Sequence, residues 1–312
     1  METPSGLRPA RLKVGIISAG RVGTALGVAL ERAEHVVVAC SAISNKSRRL
    51  AECRLPDTRI LSVPDVADSA ELLLLTVPDA ELPGLVGGLA ATGAVPPGTI
   101  VVHTSGANGV AVLEPLARQG CVPLAIHPAM TFAGGDDDIV RLGETCFGIT
   151  AADEIGYMIG QSLVLEMGGE PFRVSEDARN LYHAALAHAS NHLVTLLADA
   201  LDALRTALRG DELLGQELIG DGPGGLPERI IGPLARAALE NTLARGQSAL
   251  TGPVARGDGA AVGRHMSAIE HSAPDLARSY HANCLRTAQR AHAPEEVFEV
   301  LTEWSRIDGP PL

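Results

Sequence analysis

A glycine-containing turn near the amino terminus constrains the fold of this chain more than any other stretch. Residues 14–25 read VGIISAGRVGTA, which predicts a short buried strand, a tight turn and the start of a helix. In the dinucleotide-binding pattern G-x-G-x-x-G, the second glycine lets the backbone approach a pyrophosphate, and the third lets the helix pack on the strand. Gly20 and Gly23 occupy these two places, whereas Ser18 replaces the first glycine. The turn predicts a dinucleotide site in an α/β fold; the alternative is a similar turn that binds nothing.

The same turn predicts which groups hold the phosphates. Ser18 is compatible with the turn if its φ is negative, and its hydroxyl can then donate to a phosphate. A helix that begins near Arg21 directs unpaired N–H groups and the positive end of its dipole toward that anion. The predicted phosphate contacts are Ser18, Ala19, Gly20, Arg21, Val22 and Gly23.

The second predicted strand indicates which dinucleotide is bound. Residues 35–40 read HVVVAC, and the segment that follows, 41–49, carries hydroxyls and cations but no carboxylate. NAD-selective sites place an acidic residue at this strand end to hold the ribose 2′-OH. NADP(H) is therefore the predicted cofactor, although the cations at 46–49 are also compatible with the start of a solvated helix. The predicted contacts here are Ser41, Ser44, Asn45 and Lys46.

Later apolar runs predict more strands of a parallel sheet. Segments 71–79, 99–106 and 122–126 are nearly continuous apolar runs stopped by turn residues, which is typical of parallel strands buried on both faces. Ligands of such sheets bind beyond the carboxyl ends of the strands. The nicotinamide half of the cofactor is therefore expected near Val77, Pro78, His103, Ser105 and Gly106.

The predicted secondary structure changes near Ser175, from alternating strands and helices to helices alone. Before it we expect a loop at 134–138, a strand at 145–150, a helix at 153–167 and a closing strand at 171–174. Beyond it only helices are predicted, beginning with 177–209 and 227–245, and Ser175 and Asp258 are expected to cap the helices that follow them. The predicted architecture is a Rossmann-like, doubly wound, mainly parallel α/β domain over 1–175 and an all-helical domain over 176–312.

Composition narrows the classes of partner. The formal net charge of −12 argues against nucleic acid, which needs a basic face. The five cysteines form no C-x-x-C pair and no ligand-like cluster with histidine, so we expect free thiols in a reducing cytoplasm and no metal. The first 13 residues are not expected to be a signal peptide. No apolar run approaches the roughly 18 residues that a membrane span needs.

Four sequence blocks resemble a known family. They are VHTSG at 102–106, HPAMTF at 127–132, LYHAA at 181–185 with Ser190 and Asn191, and ALTGPVARGD at 249–258. Together they resemble a bacterial family of oxidoreductases that joins a Rossmann-like domain to a helical domain of formerly unknown function and is similar to ketopantoate reductases and pyrroline-carboxylate reductases. The resemblance implies an NADPH-dependent reductase, a homodimer, with its active site between the domains. The favoured substrate is a small carbonyl acid, 2-dehydropantoate.

The chain departs from related dehydrogenases in its proton donor. These commonly carry a lysine four residues before an asparagine of the central helix, but Ala187 stands four residues before Asn191, and only Lys13 and Lys46 are lysines. Hydride transfer to a carbonyl leaves negative charge that a donor must stabilise. Because histidine titrates near neutrality, the candidate donors are His183 and His127. The candidates for holding substrate are Asn191, Thr251 and, as a bidentate partner of a carboxylate, Arg256.

Each of these candidates has a structural alternative. His127 can bond a turn, His183 can be a satisfied histidine between helices, and Arg256 can pair with Asp258 on the surface. For the whole chain, the alternatives are an imine reductase of the pyrroline-carboxylate type and a non-catalytic NADP(H)-binding redox sensor.

Overall fold

A computed structural model describes residues 11–209 and 224–307 of the chain. The chain divides into two compact units, Met1–Ser190 and Asn191–Leu312, and we describe each by itself. The division falls inside a long helix, whereas the sequence suggested a boundary where strands give way to helices. The boundary at Ser175 therefore stays a prediction.

Eight strands of the first unit form one sheet in the order β3-β2-β1-β4-β5-β6-β7-β8. Only β6 and β7 pair antiparallel, and all other neighbours pair parallel. Seven strands lie where the sequence predicts them; β3, at two residues, is too short to give a periodic signal. The strands are β1 Lys13–Ile17, β2 Val36–Cys40, β3 Arg59–Ile60, β4 Leu72–Leu75, β5 Ile100–His103, β6 Val122–Pro128, β7 Cys146–Ala151 and β8 Glu170–Arg173.

The strand order defines where a ligand is expected to bind. The chain runs outward from β1 to β3 and then returns to the other side of β1 at β4. This reversal is the topological switch point of a doubly wound sheet, and ligands bind beside it at the carboxyl ends of the strands. The predicted Rossmann-like class is confirmed.

Helices cover both faces of this sheet. In the first unit they are α1 Arg21–Arg32, α2 Asn45–Arg54, α3 Val63–Asp68, α4 Leu82–Thr92, α5 Glu114–Ala117, α6 Asp137–Leu142 and α7 Glu154–Glu166. Short 3₁₀ turns occur at Val110–Leu113 and Glu176–Ala178, and the helix α8, Arg179–Leu208, runs from the first unit into the second. Because side chains alternate along a strand, Leu72 and Leu74 join the apolar cluster on one face, whereas Leu73 and Leu75 join the cluster on the other.

Two local predictions need correction. The predicted loop at 134–138 ends inside α6, where Asp138 is buried and its carboxylate accepts hydrogen bonds from the N–H groups of Ala133 (3.1 Å) and Gly134 (2.7 Å). Glycines and aspartates are typical of turns and loops, so the sequence pattern does not reveal this short helix, which packs against α1. Ser175 precedes the 3₁₀ turn rather than α8, and its side chain makes no capping bond there.

The described residues of the second unit form helices. After α8 these are α9 Leu226–Arg245, α10 Pro253–Arg256, α11 Gly259–Ser272, α12 Pro274–Ala291 and α13 Glu295–Ile307, with a 3₁₀ turn at Gly246–Ala249. Their buried core includes Val262, Met266 and Leu301. Asp258 accepts from the N–H of Ala261 at 2.9 Å, which confirms its predicted role as a cap of α11. No helix in the described ranges is long and apolar enough to cross a membrane.

Candidate active site

The turn between β1 and α1 is built around a strained serine. Ser18 has a φ of 71°, so the expected negative φ is wrong. This left-handed conformation favours glycine and costs another residue about 1–3 kcal/mol. Neighbouring strands hold it in place: the Ser18 N–H donates to Ser41 Oγ at 3.0 Å, and Thr76 Oγ1 donates to the Ser18 carbonyl oxygen at 2.7 Å. Ser41 and Thr76 therefore shape the turn; Ser41 is buried, and its predicted contact with the cofactor stays a prediction.

The two glycines of the turn have different surroundings. A Cβ placed on Gly23 would lie 2.6 Å from Thr76 Oγ1 and 2.9 Å from Ile16 Cγ2, whereas one placed on Gly20 would meet nothing closer than 3.9 Å. Gly23 thus allows α1 to pack on the sheet, and Gly20 leaves an open approach to the backbone. Gly20 also stands at the N-cap of α1 without a side-chain cap in the described structure, so the first N–H groups of α1, at Arg21 and Val22, are available to an anion.

A cationic groove of about 410 Å³ lies beside this turn. It is lined by Arg21, Lys46, Arg49, Leu50, Cys53, Ala133 and Gly134. Of the residues predicted to hold a 2′-phosphate, Lys46 lies in the groove. Ser44 instead caps α2 by accepting from the Ser47 N–H at 3.0 Å, and Asn45 is exposed in the first turn of α2. The sequence did not single out Arg49, because a cation run alone does not say which side chains face a ligand.

The groove is closed on one side by the segment that follows β6. Arg54 donates to the carbonyl oxygens of Gly134, at 3.1 Å, and Gly135. Asp138 holds the same segment from the other side through its bonds to Ala133 and Gly134. These contacts keep Gly134 next to Arg21, where a Cβ would come within 3.1 Å of the Arg21 side chain.

The end of β5 is shaped by a buried histidine. His103 is 0% exposed; its Nδ1 accepts from the Ser105 N–H at 3.2 Å, and its Nε2 pairs with the Gly109 carbonyl oxygen at 2.8 Å. These partners require an uncharged ring with its proton on Nε2, and burial lowers the pKa of His103 to about 4. The structure shows that the side chain of His103 supports the turn, and its predicted contact with the cofactor stays a prediction.

The remaining predicted nicotinamide contacts lie around this turn. Ser105 is buried, and its hydroxyl accepts from the backbone and side-chain amides of Asn108 at 3.1 and 2.9 Å. Val77 and Pro78 follow β4 at the same edge, half-buried and exposed respectively. Of these residues, Gly106 is the one in direct contact with candidate catalytic side chains.

A histidine cluster forms around Gly106. A Cβ on Gly106 would lie 3.0 Å from His127 Nε2 and 2.6 Å from His183 Cδ2. The two imidazole rings meet edge-on, with centroids 6.1 Å apart. His127 comes from β6 and His183 from the start of α8, so the absence of a side chain at Gly106 lets three elements converge. The structure thus brings together three residues that the sequence placed in the site separately.

The third aromatic member of the cluster was not predicted. Tyr182 Oη lies 2.8 Å from His127 Nδ1, and the rings are perpendicular with centroids 5.6 Å apart. The available signal was its place beside His183 in the block at 181–185, but a helical tyrosine is more often a packing residue. Burial raises the pKa of Tyr182, so its hydroxyl keeps its proton at neutral pH.

A buried arginine, Arg179, lies between the histidine cluster and the neighbouring strands. The Arg179 side chain donates to four neutral acceptors on the neighbouring strands, namely Thr150 Oγ1 at 2.7 Å, the carbonyl oxygens of Ala125 and Gly148 at 3.0 Å, and that of Ser105 at 3.5 Å. It is 1% exposed and forms no ion pair within the described ranges. Burial, with this positive charge as the next cause, lowers the pKa of His127 to about 4. His127 is therefore uncharged at neutral pH.

The other predicted catalytic residues belong to the second unit. Asn191 is exposed on α8, Thr251 is exposed before α10, and Arg256 is exposed at the end of α10. No ion pair between Arg256 and Asp258 occurs in the part of the chain that the structure describes. The substrate-holding roles of these three residues stay predictions.

Family models match both parts of the chain. A Rossmann-like domain matches residues 1–128, and the Domain of unknown function (DUF2520) matches residues 145–287. No curated protein matches the sequence.

Solved structures share the fold. A proposed NADP oxidoreductase from Bacteroides fragilis aligns with a TM-score of 0.71 and 20% identity, over 89% of this chain and 98% of that one. An imine reductase from Myxococcus stipitatus in complex with NADP⁺ aligns with a TM-score of 0.61 and 18% identity, over 93% and 99%. A pyrroline carboxylate reductase from Plasmodium falciparum with NADP bound aligns with a TM-score of 0.51 and 12% identity, over 92% and 100%. These structures share the fold of this chain, in which a match to a Rossmann-like domain is followed by a match to the DUF2520 model.

Proposed function

We propose that this protein is an NADPH-dependent reductase of a small carbonyl acid, with 2-dehydropantoate as the favoured substrate. The observation that carries the proposal is that one sheet holds both an open turn at Gly20, which ends at an uncapped helix start, and a histidine pair around Gly106. Both lie at the carboxyl edge of the parallel strands, where dinucleotides bind in folds of this class.

The cofactor assignment is supported by charge and by shape. Gly20 leaves the backbone open for a diphosphate, and Arg21, Lys46 and Arg49 line the adjacent groove, as a 2′-phosphate requires. Solved proteins of the same fold are described with NADP. NADPH, when bound, supplies the hydride; the protein supplies position and electrostatics.

His127 and His183 are the proposed catalytic residues. Reduction of a carbonyl carbon moves an electron pair onto oxygen, and a nearby N–H group stabilises that charge. Among the described residues, no hydrogen-bond partner contacts the Nε2 atom of His127 or of His183. Neither of these two atoms is among the fully buried polar atoms that lack a partner. These two atoms are the proposed donors to a substrate oxygen.

Electrostatics favours a carbonyl over an imine. An imine accepts hydride most readily after protonation, which creates a cation. Arg179 puts an unpaired positive charge next to the cluster, and His127 is uncharged at neutral pH. Both features disfavour a cationic substrate and favour an oxyanion. The same field suits a substrate carboxylate, for which Arg256 is the proposed partner, with Asn191 and Thr251 as orienting groups.

A second candidate is the reduction of a cyclic imino acid. It is favoured by the description of two structural neighbours as an imine reductase and a pyrroline carboxylate reductase. We place it second because the positive charge of Arg179 disfavours a protonated, cationic imine.

We also propose that a second copy of the chain covers part of the helical unit. Two helices, α8 beyond residue 190 and α9, expose a series of large apolar side chains: Leu193, Val194, Leu196, Ile230, Leu234, Leu239 and Leu243. Large apolar side chains exposed together on a surface mark interaction sites, which supports an interface on these helices. A homodimer supplies an identical apolar face, so it covers these residues without a further partner.

The substrate proposal is tested by steady-state kinetics. Purified protein is mixed with NADPH and, separately, with 2-dehydropantoate and with 1-pyrroline-5-carboxylate, and the loss of NADPH absorbance is followed. Turnover with the keto acid and not with the imino acid supports the proposal. The reverse result favours the second candidate, and tight NADPH binding without turnover of either removes both substrates and favours the redox-sensor alternative.

A further inference from the structure

We propose that Tyr182 is a positioning residue that fixes His127 with its proton on Nε2, so that His127 acts as an uncharged hydrogen-bond donor to the substrate oxygen and not as an acid. The inference rests on the proposed reductase function for its catalytic part. The tautomer itself can be measured without any substrate.

The hydrogen bond between the two residues favours one tautomer of His127. Tyr182 Oη and His127 Nδ1 are 2.8 Å apart, and a phenol can donate to a ring nitrogen only if that nitrogen carries no proton. In the opposite arrangement Nδ1–H would donate to Tyr182, and no other acceptor among the described residues would lie within hydrogen-bond distance of the phenolic proton. Donation by Tyr182 satisfies both groups, and it leaves the imidazole proton on Nε2.

The position of Tyr182 is fixed by packing. Its ring meets Phe172 edge-on with centroids 5.9 Å apart, and Arg179 lies 5.8 Å from the ring centroid. A Cβ placed on Gly148 would be 2.9 Å from Tyr182 Oη, so the glycine on β7 makes room for the hydroxyl. These contacts aim the phenol at His127 Nδ1.

The charged and titratable groups around His127 favour its uncharged form. From α8 these are Arg179, Tyr182 and His183; from the ends of neighbouring strands they are His103 and Asp79. Arg179, His183 and His103 lower the pKa of His127, whereas Asp79 raises it. Desolvation is the largest cause, and the balance leaves an imidazole that does not lose a proton in the reaction.

The chemical step follows from this arrangement. NADPH, when bound, would supply a hydride to the carbonyl carbon, and the electron pair of the carbonyl π bond would then move to the oxygen next to His127. The His127 Nε2–H bond remains intact and donates a hydrogen bond to that oxygen, which then takes a proton from His183 or from water. A neutral imidazole in this role is a preorganised donor, of the kind that is worth roughly 100-fold or more in rate.

Nitrogen NMR of the ¹⁵N-histidine-labelled full-length protein tests the tautomer. The His127 resonances are identified by their loss in His127→Gln. At neutral pH we expect an unprotonated Nδ1 and a protonated Nε2, and in Tyr182→Phe a loss of this fixed assignment. Tyr157→Phe removes a phenol outside the cluster and should leave the spectrum of His127 unchanged. A protonated Nδ1 in the unaltered protein, or an unchanged spectrum in Tyr182→Phe, would overturn the proposal.

Kinetics then tests the role of the N–H group. Glutamine can present an amide N–H near the place of Nε2, whereas methionine cannot, so His127→Gln should keep about 10% of kcat and His127→Met about 1% or less. Tyr182→Phe should lower kcat about 10-fold with little change in KM. Equal loss in His127→Gln and His127→Met, with a kcat that depends on an ionisation of His127, would show an acid and contradict the proposal. Absence of turnover in the unaltered protein would refute the reductase function and leave the NMR result to decide the tautomer.

Discussion

Thr76 Oγ1 donates a hydrogen bond to the carbonyl oxygen of Ser18 at 2.7 Å, and this bond ties the end of β4 to the strained turn after β1. Ser18 stands where a glycine would take the same positive φ without strain. The nucleotide turn of this chain therefore depends on side chains from the next strands, Thr76 and Ser41, for a conformation that glycine adopts by itself.

The support of Ser18 by Thr76 predicts a stability change. Thr76→Val keeps the shape of the side chain and removes the hydroxyl, so the free energy of unfolding should fall by about 1–2 kcal/mol, measured by urea denaturation. Thr92→Val is the matched control, because its hydroxyl bonds within a surface helix; it should change stability by less than about 0.5 kcal/mol. Equal changes in the free energy of unfolding for the two substitutions would show that the bond to Ser18 stabilises the protein no more than a hydrogen bond within a surface helix.

The two glycines of the turn should respond differently to alanine. Gly23→Ala brings a Cβ within 3.0 Å of Thr76 Oγ1 and Ile16 Cγ2 and should destabilise the protein by about 1–3 kcal/mol. Gly20→Ala has room in the free protein, so it should leave the melting temperature nearly unchanged and weaken NADPH binding about 10-fold or more, because the methyl group meets the diphosphate. Calorimetric titration and thermal melts separate the two. Unchanged NADPH affinity in Gly20→Ala would contradict the assignment of the turn.

The cationic groove predicts selectivity for NADPH. Lys46→Gln combined with Arg49→Gln should lower the preference for NADPH over NADH about 10- to 100-fold, since each lost charge contact is worth on the order of 1 kcal/mol. Arg48→Gln is the control, because the Arg48 guanidinium turns back to the carbonyl oxygen of Ala42. The ratio of dissociation constants is measured by fluorescence titration. If NADH binds the unaltered protein as tightly as NADPH, the cofactor prediction is wrong.

Burial of His103 predicts a loss of stability in acid. Its pKa is lowered from 6.5 to about 4, so the unfolded chain binds the extra proton throughout this window. The stabilising contribution, about 3 kcal/mol at 1.36 kcal/mol per pKa unit, is complete above pH 6.5 and is lost as the pH falls toward 4.

The measurement compares urea unfolding at pH 7 and pH 5. His103→Asn can still accept from the Ser105 N–H but cannot take up a proton, so its stability should depend less on pH than that of the unaltered protein. The same pH dependence in both proteins would show that His103 does not titrate in this way.

The exposed face of α9 predicts the effect of one charge on assembly. Leu243 is 80% exposed, and Leu243→Glu should convert the proposed dimer to monomer, because burial of an unpaired carboxylate opposes association. Leu165→Glu places the same charge on an exposed leucine of α7 and should leave the dimer intact. Sedimentation velocity gives the result, and an unaltered protein that is already monomeric would refute the dimer.

Features encoded by local patterns were predictable from the sequence. The turn at Gly20 and Gly23 and the apolar run at Leu72–Leu75 have spacings typical of a βα turn and a buried strand, so they predicted a parallel sheet with its ligand at the carboxyl ends of the strands. Features that depend on distant neighbours were not. The positive φ of Ser18, the buried role of His103 and the bond of Tyr182 to His127 arise from residues that fold next to each other across strands. Residue type alone did not distinguish a side chain that holds its neighbours in place from one that would contact the cofactor or the substrate.

The crystal structure of the protein with NADP⁺ bound is the most direct test of the central claim. The account predicts the diphosphate on the N–H groups of Arg21 and Val22 beside Gly20, with the nicotinamide ring near Gly106, His127 and His183. A nucleotide bound elsewhere, or a nicotinamide ring remote from both histidines, would contradict it.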